Sequence, residues 1–172
     1  MIDRVIIDTL NLKSGDFTAK WINKIRKSTH LLHYNQLDDN TLQEKGEQFY
    51  PLLARTLDRG YDRSAVGSFF VKVGKENMRK GIPVSEVIYA IGLFQKVIFE
   101  YMMTDFAHEN PIRMYQSLNA FTNISDLIIK GSFYITKGYL EDTYTSMNTS
   151  DQVSEELLKK YFKDDFFFKQ DY

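Results

Sequence analysis

Residues 69–101, FFVKVGKENMRKGIPVSEVIYAIGLFQKVIFEY, decide how the chain folds. Around the first half, Val66, Phe69, Phe70, Val73 and Met78 recur at helical spacing, while Lys72, Lys75, Glu76, Arg79 and Lys80 fill the other side. Gly81 predicts the stop, because a residue without a Cβ accepts the left-handed conformation common just past a helix end. The Arg79-Lys80 pair before it suits the negative end of the helix dipole. Pro83 predicts the restart: in a first helical turn its missing amide hydrogen has no carbonyl to serve. Behind it, Val87, Ile91, Phe94, Ile98 and Tyr101 form one stripe, which Ile88, Val97, Phe99 and Met102 widen. A face that broad is buried on more than one side. The expectation is a central antiparallel helix pair joined by a tight corner.

Working outward, the same periodicity predicts an all-α, multi-helix bundle of about six to seven helices. Val5, Ile6, Ile7 and Leu10 make a short apolar run, a helix or a strand, before a Lys-Ser-Gly turn. Asp16 caps a helix with Phe17, Trp21, Ile22 and Ile25 inward, and Trp21, the only tryptophan, reads as a core anchor. Residues 28–39, STHLLHYNQLDD, form a connection. Thr41 to Glu44 has the spacing of a capping box and starts a helix with Leu42, Phe49, Leu53 and Leu57 inside. Pro51 should kink or divide that helix, and Gly60 should end it, with Asp62 or Ser64 capping the next. Asn110-Pro111 starts one long helix in the C-terminal half, carried by Met114, Leu118, Phe121, Ile128 and Ile135 as far as about Met147. Ala120, Gly131 and Gly138 thin its side chains and read as a dimer interface, since interior glycines cost roughly 1 kcal/mol each without a packing reason. The domain plan is a bundle over residues 1–148, then a C-terminal helix and aromatic tail over 149–172. That tail, ending KDDFFFKQDY, packs on the bundle or a dimer mate, docks another protein, or stays disordered.

Composition narrows the function. A chain of 172 residues fits one domain with its own core, and a hydrophobic share of 43% argues that it folds. The net charge of −1 gives no footprint for nucleic acid or an anionic membrane. The absence of cysteine excludes disulfides, thiolate metal sites and cysteine nucleophiles. Apolar runs fall short of the ~20 residues of a membrane helix, and residues 1–10 lack a signal pattern, so a cytoplasmic protein is expected.

Motifs for catalysis are missing: no glycine-rich phosphate loop, no Gly-x-Ser-x-Gly, no His-Glu-x-x-His and no Glu-x-x-His. No catalytic residue, metal or cofactor is therefore assigned. His30 and His33 are spaced for one helix face, but no further ligands accompany them. Asn77 and Gln95 fall on apolar stripes. Buried amides must be bonded, to one another, to backbone or to a ligand, so these two are the candidate ligand-binding residues.

Trp21 to Ile25, the connection from Tyr34 to Leu42, and above all residues 69–102 resemble the N-terminal domain of the RsbRD-type stressosome co-antagonist family, also found at the front of some bacterial sensor histidine kinases. The resemblance spans about residues 17–145. Its core is the phenylalanine pair, Gly74, Arg79 and Gly81-Ile82-Pro83, followed by the apolar helix. It implies an all-helical sensory or regulatory input domain, often dimeric and without catalytic residues, working through signalling protein partners. Output modules follow such domains in that family. Here none follows, so a stand-alone relative or an excised input domain is expected. The functional expectation is a non-catalytic bacterial input domain acting by helix rearrangement in a homodimer. The alternative is a small-molecule or haem-binding sensor with a pocket inside the bundle. For the haem version, His30, His33 and His108 all lie outside the predicted core helices.

Overall fold

The corner at Gly81 forms as its residues predict. In the computed structural model, which describes residues 4–59, 63–105, 111–150, 154 and 156, Gly81 takes φ +70°. Its amide donates to the Met78 carbonyl, and the Ile82 amide reaches back to the Asn77 carbonyl. Those paired bonds close the helix end in a Schellman motif. The Pro83 carbonyl then accepts from the amides of Glu86 and Val87, and the next helix begins.

The described residues form six α-helices: α1 (Arg4–Leu12), α2 (Ser14–Lys27), α3 (Asp39–Arg59), α4 (Arg63–Arg79), α5 (Val84–Asp105) and α6 (Pro111–Asn148). A short 3-10 turn, Tyr34–Gln36, interrupts the connection between α2 and α3. The fold is an all-α multi-helix bundle. The expected features around His108, Asn110, Gly60 and Asp62, and the C-terminal helix and aromatic tail, lie outside the described residues.

The central pairing differs from the expected one. α4 packs chiefly on α6 and only lightly on α5. Gly67 and Gly74 on α4 stand seven residues apart, as do Gly131 and Gly138 on α6. The Phe70 ring covers Gly131, the Tyr134 ring covers Gly67, Gly74 meets the Ile135 carbonyl, and Gly138 meets the Val71 carbonyl. Contacts therefore advance together along the two helices, which run in the same sense. α5 runs the other way: Gln95 meets Ser125 and Phe99 meets Phe121. Beyond the glycines, Lys75 pairs with Glu141 at 2.8 Å. The Arg79 Nε and Nη2 atoms donate to Asp142 Oδ2 at 2.9 Å and Oδ1 at 2.7 Å. The Tyr139 hydroxyl donates to the Ile82 carbonyl.

This packing corrects the assignment of Ala120, Gly131 and Gly138 to a dimer interface. All three are buried within one chain, and the two glycines are occupied by α4. Arg79 likewise serves a tertiary ion pair across the seam. A stripe of small residues shows that something approaches closely, but not that the something is a second copy.

Smaller differences have local causes. α3 starts earlier than the Thr41 capping box, because the Asp38 carboxylate takes the cap, accepting from the Thr41 amide at 2.8 Å and the Thr41 hydroxyl at 2.7 Å. Pro51 does not divide α3, which continues through it with Leu53, Ala54 and Leu57 buried behind. α2 begins at Ser14, ahead of the expected Asp16 cap. α5 passes the length and composition test for a membrane span, unlike the expectation. Here it buries Val87, Ala90, Phe94, Val97 and Ile98 against protein. Trp21 stacks on Phe94 with centroids 4.1 Å apart, Phe49 does the same at 4.1 Å, and the Trp21 indole donates to the Ala90 carbonyl at 2.8 Å.

A Cβ at position 138 would overlap the Val71 carbonyl, whereas one at Gly92 meets nothing within 4 Å. Gly138→Ala should lose about 3 kcal/mol in chemical denaturation, and Gly92→Ala should gain about 0.5–1 kcal/mol. A Gly138→Ala protein as stable as wild type would rule out the backbone contact.

Candidate functional site

Four helices leave a recess between them. On α3, Thr41, Glu44, Lys45 and Gln48 are spaced by three or four residues and so share one face, set by the cap at Asp38. On α4, Phe69, Val73 and Glu76 do the same, on the side opposite the glycine seam, and Lys80 follows just past the helix end. Trp21 of α2, Phe49 of α3 and Ala90, Ile91 and Phe94 of α5 make the apolar floor. The cavity has a volume of about 150 Å³.

Its rim is charged. Glu44, Gln48, Glu76 and Lys80 are exposed, while Lys45 is half-buried. The Lys45 ammonium has no ion pair or hydrogen bond among the described residues, and Glu76 lies 3.7 Å from Lys72 on its own helix. Burial holds the Lys45 ammonium below the usual lysine value, the Lys80 charge pushes the same way, and Glu76 opposes both. Tyr34 also lines the recess and is 3% exposed. Burial, helped by the charge of Glu86, pushes its hydroxyl far up, so it stays a proton donor. That hydroxyl has no hydrogen-bond partner among the described residues.

The side of the recess at Tyr34 is fastened by a buried carboxylate. Glu86 Oε2 accepts the amides of His33 and Tyr34 at 2.9 and 3.2 Å, and Oε1 lies 2.7 Å from His33 Nδ1. Arg26 holds the same connection by donating to the carbonyls of Asn35 and Leu37, each at 2.7 Å. His33 is thus engaged by Glu86, and the His30 ring packs edgewise on Tyr89. Among the described residues no three His, Asp or Glu side chains gather as a metal site would require.

Asn77 and Gln95 are not brought together, and neither lines the recess. Asn77 Nδ2 donates to the Val73 carbonyl at 2.7 Å, leaving Oδ1 buried without a partner. Gln95 Nε2 donates to the Ser125 hydroxyl at 2.8 Å, tying α5 to α6. The residue that sequence reading missed is Lys45. It stands three after Leu42 and four before Phe49, on the inner stripe of α3, where a lysine is out of place.

No known family model, curated protein or solved structure matches the chain.

A lysine whose folded pKa is lowered binds fewer protons than in the unfolded chain, so stability rises with pH between the two values. Below that window the protonated group carries its full penalty. Lys45→Met should therefore melt higher than wild type at neutral pH. The difference should shrink as pH rises toward the ordinary 10.5. Parallel pH profiles for the two proteins would show that Lys45 is not under that penalty.

Proposed function

We propose that this chain is a non-catalytic input or regulatory domain of bacterial signal transduction, cytoplasmic and homodimeric, working through signalling protein partners. It acts by helix rearrangement. The observation that carries this reading is the double use of α4. One face walls the recess through Phe69, Val73 and Glu76, and the opposite face meets α6 backbone to backbone. A shift of α4 against α3 therefore acts on α6 as well. α6 has 38 residues and so extends ~57 Å, far enough to deliver the shift to a distant surface. The resemblance of residues 69–102 to RsbRD-type domains points to the same class.

For the homodimer the supporting feature is a different face of α6. Tyr115, Leu118, Ile129 and Phe133 fall within an arc of about 60° at 100° per residue. They remain 66%, 47%, 68% and 54% exposed. An apolar stripe of that kind is suited to self-pairing about a two-fold axis. Of the sensor versions, a small ligand fits better than haem, because about 150 Å³ is the scale of a single ring and no histidine of the described residues lines the recess.

The relay can be tested without a ligand. Val73→Trp fills the recess from α4. The chain has no cysteine, so spin labels at introduced cysteines report unambiguously. Labels at Glu47 and Ser68 should move apart on filling, whereas labels at Ser68 and Asn123 should keep their distance. Unchanged spacing in both pairs, or separation of α4 from α6, overturns the relay. For the dimer, Ile129→Glu with Phe133→Glu should convert a sedimenting dimer to monomer without lowering the melting temperature; a wild-type monomer at all concentrations rejects it.

A further inference from the structure

We propose that the recess between α2, α3, α4 and α5 binds a small carboxylate with a single-ring aromatic or branched aliphatic body, its anionic end on Lys45. This names the ligand of the site invoked above. It depends on the regulatory reading for its consequence but not for the binding.

Size sets the body. A cavity of about 150 Å³ accommodates a benzene-sized group. Its floor of Trp21, Phe49, Phe94 and Ile91 offers only apolar contact, which favours a ring or a branched chain over a sugar or a phosphate ester. Charge sets the head. The most buried ionised group at the rim is a cation, Lys45, and no carboxylate of the described residues pairs with it. Lys80 adds a second positive charge on the same rim, and the Tyr34 hydroxyl adds an unused donor. A desolvated charge without a partner costs stability that a bound counter-ion returns. Burial and Lys80 hold Lys45 below the usual lysine value while Glu76 opposes both, so an anion placed on the ammonium would relieve a charge that the recess leaves desolvated. Of the two carboxylates, Glu44 is exposed, and Glu76 acts on Lys45 only from an exposed position, 3.7 Å from Lys72 and in no ion pair with Lys45. A quaternary ammonium is disfavoured as well. Phe94 spends its stacking on Trp21 and Phe49, and both lysines oppose a cation.

Trp21 lines the recess and is the only tryptophan, so its fluorescence reports occupancy directly. Three probes of one shape separate the terms: phenylacetate, neutral phenylacetamide and cationic phenethylamine. Phenylacetate should give a saturable change, with the other two at least about tenfold weaker, as loss of a charge-assisted hydrogen bond implies. Lys45→Met should weaken phenylacetate about tenfold, leave phenylacetamide unchanged and keep or raise the melting temperature. Lys45→Arg should retain most of the affinity. Lys80→Met, at an exposed position, should weaken phenylacetate less. No saturable response to phenylacetate, equal response to all three probes, preference for the amine, or undiminished binding by both methionine variants overturns the site. Binding that leaves the Glu47–Ser68 label distance unchanged rejects the relay and keeps the site. Label movement in Val73→Trp without phenylacetate binding does the reverse.

Discussion

The architecture depends on how closely α4 approaches α6. Packed helices ordinarily keep their axes about 8–10 Å apart because side chains intervene. At Gly74 and Gly138 nothing intervenes, and each glycine lies on a carbonyl of the opposite helix. The seven-residue spacing within each pair brings the same face round after two turns, so each helix presents both of its glycines to the other. Four helical glycines forfeit about 1 kcal/mol apiece relative to alanine. Close dispersion contact along the whole seam is what offsets that loss. The ion pairs at its far end, Lys75 with Glu141 and Arg79 with Asp142, act more on register than on stability, because α4 contributes exposed or half-exposed cations.

Fixing α4 on α6 determines what its other face can do. α5 descends from the Gly81 corner, antiparallel to both, and is anchored from behind by Trp21, whose indole bonds the Ala90 carbonyl. The stack of Trp21, Phe94 and Phe49 fills the inner part of the space among α2, α3 and α5. The outer part stays open, and the recess is that remainder. Its boundary at Tyr34 cannot sag inward, because the buried Glu86 carboxylate takes two backbone amides and a histidine ring from the connection. A buried carboxylate satisfied three times over is a fastener of the loop it binds.

What the residues reveal in advance follows from how local each interaction is. Gly81, Ile82 and Pro83 act within one turn of chain, and the corner is legible to the residue. The cap of α3 is ambiguous by three positions, since Asp38 with Thr41 and Thr41 with Glu44 both have capping spacing, and the ionised carboxylate is the stronger acceptor. Pro51 looks like a break until the burial of Leu53, Ala54 and Leu57 behind it is known. The seam is visible only as two heptad-spaced glycine pairs in separate segments. Which helix fills the gap they leave is a tertiary fact, and Gly131 and Gly138 read equally well as facing a second copy. Gln95 shows the same limit: its place on an apolar stripe does not disclose the Ser125 hydroxyl across the helix interface.

Asn77 and Lys45 are among the polar groups left imperfectly satisfied in the described residues, and their positions bear on how easily the packing could change. Asn77 Oδ1 is buried on α4 without a partner and without access to the recess. Lys45 is half-buried on α3 and opens onto it. Each lowers the stability of the present arrangement by the desolvation it does not recover. Only Lys45 can be relieved by something entering from outside, whereas Asn77 can be relieved only if α4 moves. An arrangement carrying both stands closer in free energy to its alternatives than a fully satisfied core would. Differential ligand affinity then needs to supply only that smaller gap to shift the population.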